Sequence, residues 1–63
     1  MVCIDMRARF IPVSVDCETP VRGTVVYVDY ANKYFTAEYE YEGKKYQESF
    51  EFSDCDKAVV LLG

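Results

Sequence analysis

Tyr34-Phe35-Thr36-Ala37-Glu38-Tyr39-Glu40-Tyr41-Glu42, then Gly43-Lys44, then Lys45-Tyr46-Gln47-Glu48-Ser49-Phe50-Glu51-Phe52 is the stretch on which the fold turns. Phe35, Ala37, Tyr39 and Tyr41 alternate with Tyr34, Thr36, Glu38 and Glu40. A period of two belongs to a strand with one face on a core and the other in water. The second run repeats the pattern, with Tyr46, Phe50 and Phe52 inward and Gln47, Ser49 and Glu51 outward. The two runs therefore form a hairpin around the glycine. A type II′ loop at Gly43-Lys44 requires positive φ only at the glycine, whereas a type I′ loop at Glu42-Gly43 requires it at Glu42 as well. The first loop is expected. It sets Tyr41 opposite Tyr46, Tyr39 opposite Glu48, Ala37 opposite Phe50 and Phe35 opposite Phe52.

Upstream, Val21 to Asp29 is a second β-type run and holds Thr24-Val25-Val26-Tyr27-Val28, the densest β-branched stretch of the chain. A four-residue turn, Tyr30 to Lys33, joins it to the hairpin, with Asn32 expected to supply the left-handed residue. Val28 then faces Phe35 and Val26 faces Ala37, which puts Val26 and Val28 in the core. A slip of one residue would send Val25 and Tyr27 inward instead. Arg7 to Val15 is the first run. Pro12 cannot donate to a ladder, so this run is an edge, a bulge or two short pieces. Asp16 to Pro20 is a polar loop. Ala58 to Leu62 is the last run, and Ser53 to Lys57 before it suits a single 3₁₀ turn.

The whole chain, residues 1–63, has room for one domain. A domain of this length buries only about 60% of its unfolded surface. At 51% hydrophobic and 16% aromatic residues it is too apolar for disorder. Eleven acidic and seven basic side chains give a net charge of −4, which disfavours a general grip on phosphate backbones. There is no histidine, so the commonest general base and the commonest metal ligand are both missing. Cys3, Cys17 and Cys55 are odd in number and widely spaced, unlike a secreted disulfide framework. Zinc would need a fourth ligand, and close Cys pairs that commonly supply two are lacking. A reduced, cytoplasmic chain without metal or cofactor is expected. No signal peptide is visible, and the longest apolar run falls far short of the roughly 20 residues of a membrane span.

Five short strands, three of them a meander, with one turn before the last, predict a small, strongly bent barrel. The stretch Arg22-Gly23-Thr24-Val25-Val26-Tyr27-Val28-Asp29 with Tyr34-Phe35-Thr36-Ala37-Glu38-Tyr39 resembles the Gly-x-Val-x-x-Val hairpin of SH3-like barrels, in particular the KOW-type barrels of ribosomal and transcription proteins. The core from Val21 to Phe52 is similar to small SH3-like proteins of bacteria and their mobile elements. The resemblance implies an all-β, five-stranded SH3-like barrel with a single 3₁₀ turn before the last strand. It implies little about activity, because such barrels host many unrelated functions.

Few residues invite a chemical role. The acidic pairs Asp16/Glu18 and Asp54/Asp56 lack the further oxygen ligands of a calcium loop, and no nucleophile or oxyanion-hole motif accompanies them. Catalytic residues are not expected. Glu48 shares the inward face with Tyr46 and Phe50, where an ionised carboxylate is expensive unless paired. Two readings follow: a rim or bulge position with Arg7, Arg9 or Arg22 as neighbour, or a buried charge that positions a ligand or partner. Val25, Tyr27 and Tyr34 fall on the outer face and Tyr30 on the adjoining turn, a wet aromatic strip suited to a protein partner. Docking of proline-rich peptides in SH3 grooves also uses a tryptophan, which is absent. The basic residues read as dispersed, without the stripe expected of an RNA-binding barrel. The expected function is thus a non-catalytic protein-interaction module, of the kind found as phage or mobile-element accessories. An acidic inhibitor occupying a nucleic-acid site on an enzyme and a KOW-like ribonucleoprotein barrel are the alternatives. Nucleic acid and membrane partners are not expected, and a homodimer stays open.

Overall fold

The computed structural model describes residues Met1–Gly63. The strands are β1 (Arg7–Phe10), β2 (Val21–Asp29), β3 (Tyr34–Tyr41), β4 (Lys44–Glu51) and β5 (Val59–Leu61), with one 3₁₀ turn (Phe52–Asp54) before the last. They form one antiparallel sheet in the order β4-β3-β2-β1-β5. The sheet stays open, with β4 and β5 at its two edges. The first run is shorter than expected, because β1 ends two residues before Pro12, which has no N–H to give.

The β3–β4 hairpin corrects the expected turn. Tyr41 pairs with Lys44, so the loop is Glu42-Gly43, and both residues have positive φ, 51° and 80°. The type I′ loop sets a register that brings Tyr39 onto Tyr46 and Phe35 against Phe50, and these aromatic pairs offset the strain of holding a glutamate left-handed. Each cross-strand partner moves by two residues relative to the expected register. Tyr39 faces Tyr46, Ala37 faces Glu48 and Phe35 faces Phe50. A shift of two leaves every side chain on its expected face. Tyr39 and Tyr46 stack with ring centroids 5.8 Å apart.

β2 holds the second correction. Its turn does span Tyr30 to Lys33, and Val28 does face Phe35, but Val25 rather than Val26 pairs with Ala37. Val26 is the extra residue of a β-bulge between Val25 and Tyr27. Val25 is consequently buried and Val26 exposed. The N–H of Val25 donates to Met6 and its carbonyl accepts from Asp5, both at 2.8 Å, so just before the bulge β2 is bonded to the β1 segment on one side while it pairs with β3 on the other. In the turn, Lys33 and not Asn32 takes positive φ (59°). Asn32 is bound instead through its N–H and side-chain amide to the two carboxylate oxygens of Asp29, at 3.0 and 2.9 Å.

The concave face collects the core: Val2, Ala8, Phe10, Val25, Phe35, Ala37, Tyr39 and Val59, with Val28, Phe50 and Phe52 packed against them. Phe10 meets Tyr39 and Phe50 edge-on at 5.4 and 5.0 Å. Gly23 is where β2 passes under this cluster. A Cβ there would lie 2.8 Å from the Glu38 carbonyl oxygen and 3.1 Å from the Phe10 ring, so the close approach requires glycine. Burial of each large apolar side chain stabilises the fold by about 1.5–3 kcal/mol, an upper figure because the unfolded chain is already partly compact.

Candidate functional site

Three features, two at the surface and one buried, are chemically distinctive, and they lie on different parts of the sheet. The first is the convex side of β2 and β3. With Phe35 and Ala37 buried, Tyr34 and Thr36 point outward by parity, and the bulge returns Tyr27 to that side. Tyr27 and Tyr34 pack at a centroid distance of 5.9 Å. The neighbouring Tyr27 phenol pushes the Tyr34 hydroxyl above the usual tyrosine range. Tyr27 remains 49% exposed and Val26 beside it 40%. Thr36 and Ser49 share a 2.9 Å hydroxyl contact next to them, giving the aromatic pair a polar border.

Of the four residues expected to form this strip, only Tyr27 and Tyr34 come together. Val25 is fully buried, and its outward place is taken by Val26. Tyr30 has left the strip. Its ring packs on Phe52 at 6.0 Å and its hydroxyl donates to the carbonyl of Val2. There it forms one wall of the second feature, an open hollow of ≈ 610 Å³ with Val2, Met6, Phe52, Cys55 and Leu61 among its lining residues. Burial, reinforced by the charges of Asp56 and Asp54, pushes the Cys55 thiol up, so this sulfur is a protonated wall atom rather than a nucleophile. All three cysteines are free.

Glu48 is the third feature. It is only 6% exposed, so the expected rim or bulge position is corrected. None of Arg7, Arg9 and Arg22 serves it. Its Oε1 accepts hydrogen bonds from the backbone N–H groups of Val13 and Ser14, at 2.6 and 2.7 Å, and from the hydroxyl of Tyr39 at 3.2 Å. Charge-assisted bonds of this kind offset the desolvation of a buried carboxylate. Glu48 therefore clasps the segment that follows β1 onto the concave face. Burial, and after it the Glu48 charge, push the Tyr39 phenol up, with the neighbouring Ser14 partly opposing them. All three of these donors converge on Oε1. Sequence parity found Glu48 but not its partners, which are main-chain groups and carry no side-chain signature.

The arginines read as dispersed are brought together. Arg7, Arg9 and Arg22 are all exposed and lie on the convex side of β1 and β2. The pair Asp54/Asp56, in contrast, belongs to the turn before β5. Asp54 accepts the Glu51 N–H at 2.9 Å to cap the 3₁₀ turn, and Asp56 occupies a left-handed position at φ 66°. No group of three or more His, Cys, Asp or Glu side chains is placed to hold a metal ion. No helix is long and apolar enough to cross a membrane. No family model, curated protein or solved structure matches the chain.

Proposed function

We propose that this domain is a non-catalytic protein-interaction module whose contact face is the convex surface around Val26, Tyr27 and Tyr34. The observation that carries the reading is the bulge. It turns an apolar valine out of the sheet beside two tyrosines packed at a tilt and partly exposed, inside a border of hydroxyl groups. Tyrosine is enriched at interfaces and combines a large apolar body with a polar tip at little entropic cost. The strand order and the 3₁₀ turn before β5 support an SH3-like, half-open barrel as the scaffold. Three free thiols favour a reducing compartment such as the cytoplasm, and the accessory role in a phage or mobile element follows the resemblance of the sequence.

Interface energy concentrates in a few aromatic anchors, so removing two of them should cost several kcal/mol of binding. The variant Tyr27→Ser with Tyr34→Ser should keep the circular dichroism spectrum of the parent and lose at most about 1–2 kcal/mol of stability, the value of the cross-strand pairing. In affinity capture from a native-type lysate and in sedimentation it should lose partners or self-association that the parent shows. A folded variant that captures the same proteins as the parent defeats the proposal.

A further inference from the structure

The convex side carries a charged patch apart from the tyrosine pair. On β1, Ala8 and Phe10 are buried, so Arg7 and Arg9 project to the other side. On β2, Gly23 and Val25 are buried, and Arg22 projects with them. The register puts Arg9 directly across from Arg22 and Arg7 across from Thr24. Three of the seven basic residues of an acidic chain thus share an area two strands wide. Directly opposed side chains have Cβ atoms about 4.5–5.5 Å apart, and like charges there destabilise the sheet. The side chains of Arg7, Arg9 and Arg22 take part in none of the hydrogen bonds of the molecule.

A second, independent observation adjoins the first. Arg9 and Lys57 stand at a small hollow of ≈ 270 Å³ whose other walls include Ile11, Pro20 and Val60. Ile11 and Val60 are both exposed. The hollow has the apolar lining and the size for one bulky side chain, and two cations border it.

We infer that this patch binds an acidic polypeptide segment carrying one bulky apolar residue, which seats in the hollow while flanking carboxylates meet Arg9, Arg22 and Lys57. The inference rests on the reading of the domain as a protein-interaction module and names the chemistry of a partner. A guanidinium presents a planar fork that matches a carboxylate in two parallel hydrogen bonds. An arriving carboxylate also relieves the repulsion between Arg9 and Arg22, so the unliganded strain becomes part of the affinity. A polypeptide suits the site better than a nucleic acid. Across β2 the neighbour of Thr24 is Glu38, and beyond the three arginines the chain carries eleven acidic side chains against four lysines. Affinity for a phosphate backbone grows with the number of phosphates neutralised, and a strand running beyond this patch would meet carboxylates.

The test is fluorescence anisotropy with the full chain at low salt. The probes are a labelled peptide of aspartates and glutamates around one central phenylalanine, the same peptide with serine at the centre, its counterpart with lysines for the acids, and an oligothymidylate of similar length. The acidic phenylalanine peptide should bind, the serine version should bind several-fold more weakly, and the lysine version should not bind. The variant Arg9→Ala with Arg22→Ala changes only exposed side chains and should lower the affinity at least about tenfold while keeping the fold. Acidic-peptide binding that is unmoved by this variant, or no tighter than that of the lysine peptide, overturns the inference. Tighter, arginine-dependent binding of the oligothymidylate overturns it in favour of a phosphate site. If the arginine patch fails while Tyr27→Ser with Tyr34→Ser still loses partners, this inference alone falls. If acidic-peptide binding holds while the tyrosine variant captures the same partners as the parent, the tyrosine-face reading alone falls.

Discussion

Glu48→Ala should be among the most damaging single substitutions outside the apolar core. The carboxylate oxygen serves three donors: the N–H groups of Val13 and Ser14 and the hydroxyl of Tyr39. The donors differ in what they do when it is gone. Val13 and Ser14 are exposed, so their amides can turn to water once the segment swings out. Tyr39 is buried, and its hydroxyl stays without a partner. An unsatisfied buried group costs about 1–3 kcal/mol, and the two amide bonds, made to a charged acceptor, add a net loss of about 1 kcal/mol or more. The sum is about 3 kcal/mol. A domain of 63 residues has a total stability of roughly 3–9 kcal/mol, so Glu48→Ala should remove about a third or more of it. Glu48→Gln separates charge from geometry. It keeps an acceptor oxygen in place and loses only the charge assistance, about 1 kcal/mol, or about 4–8 °C in Tm.

Urea titration followed by tyrosine fluorescence gives both values. A local readout comes from a glutamate-specific protease, whose site after Glu18 lies in the segment beyond the clasp. Cleavage there should accelerate in Glu48→Gln before global unfolding does, because only this segment is released. If alanine and glutamine both stay within about 0.5 kcal/mol of the parent, the range of an ordinary surface change, Glu48 does not hold the segment and the reasoning fails.

Two further outcomes test the turn and the buried phenol. Glu42→Asn should stabilise the domain by up to about 1 kcal/mol, because asparagine tolerates the left-handed conformation that a type I′ loop imposes before glycine; a neutral or destabilising result in the same urea titration would return the turn to Gly43-Lys44. The raised Tyr39 phenol means that the fold favours its protonated form, so this contribution is complete below the ordinary tyrosine value of about 10 and is lost as pH rises through the higher folded value. Urea midpoints measured through that alkaline range should fall more steeply for the parent than for Tyr39→Phe, and parallel curves would show that Tyr39 does not titrate as described.

The sequence was most legible where a pattern of period two ran uninterrupted. From Tyr34 to Phe52 every side chain lies on the face assigned by alternation, and the inward position of Glu48 came from the same rule. The error in the turn left these faces intact because its register shift was even. In β2 the same rule failed by one residue. Counting back from Val28 in steps of two leads to Val26, yet the buried residues are Gly23 and Val25. The inward set is therefore 23, 25 and 28, and the spacing of three between Val25 and Val28 is the imprint of the bulge at Val26. That spacing stood in the sequence as Gly-x-Val-x-x-Val, but a run of β-branched residues has no polar member to show which valine is expelled. The choice is made by main-chain partners from elsewhere, Asp5 and Met6, which side-chain patterns do not encode. Surface patches fared likewise. Arg7, Arg9 and Arg22 look scattered because fifteen or so residues separate the first pair from the third, and only the β1–β2 register makes Arg9 and Arg22 neighbours. The expelled valine, the tyrosine pair and the arginine cluster are thus all products of how β2 is shared between β1 and β3. That makes β2 the element where a change in fold and a change in binding are hardest to separate, and Val26→Thr the substitution that separates them: it keeps a β-branched residue in the bulge while removing its apolar contact.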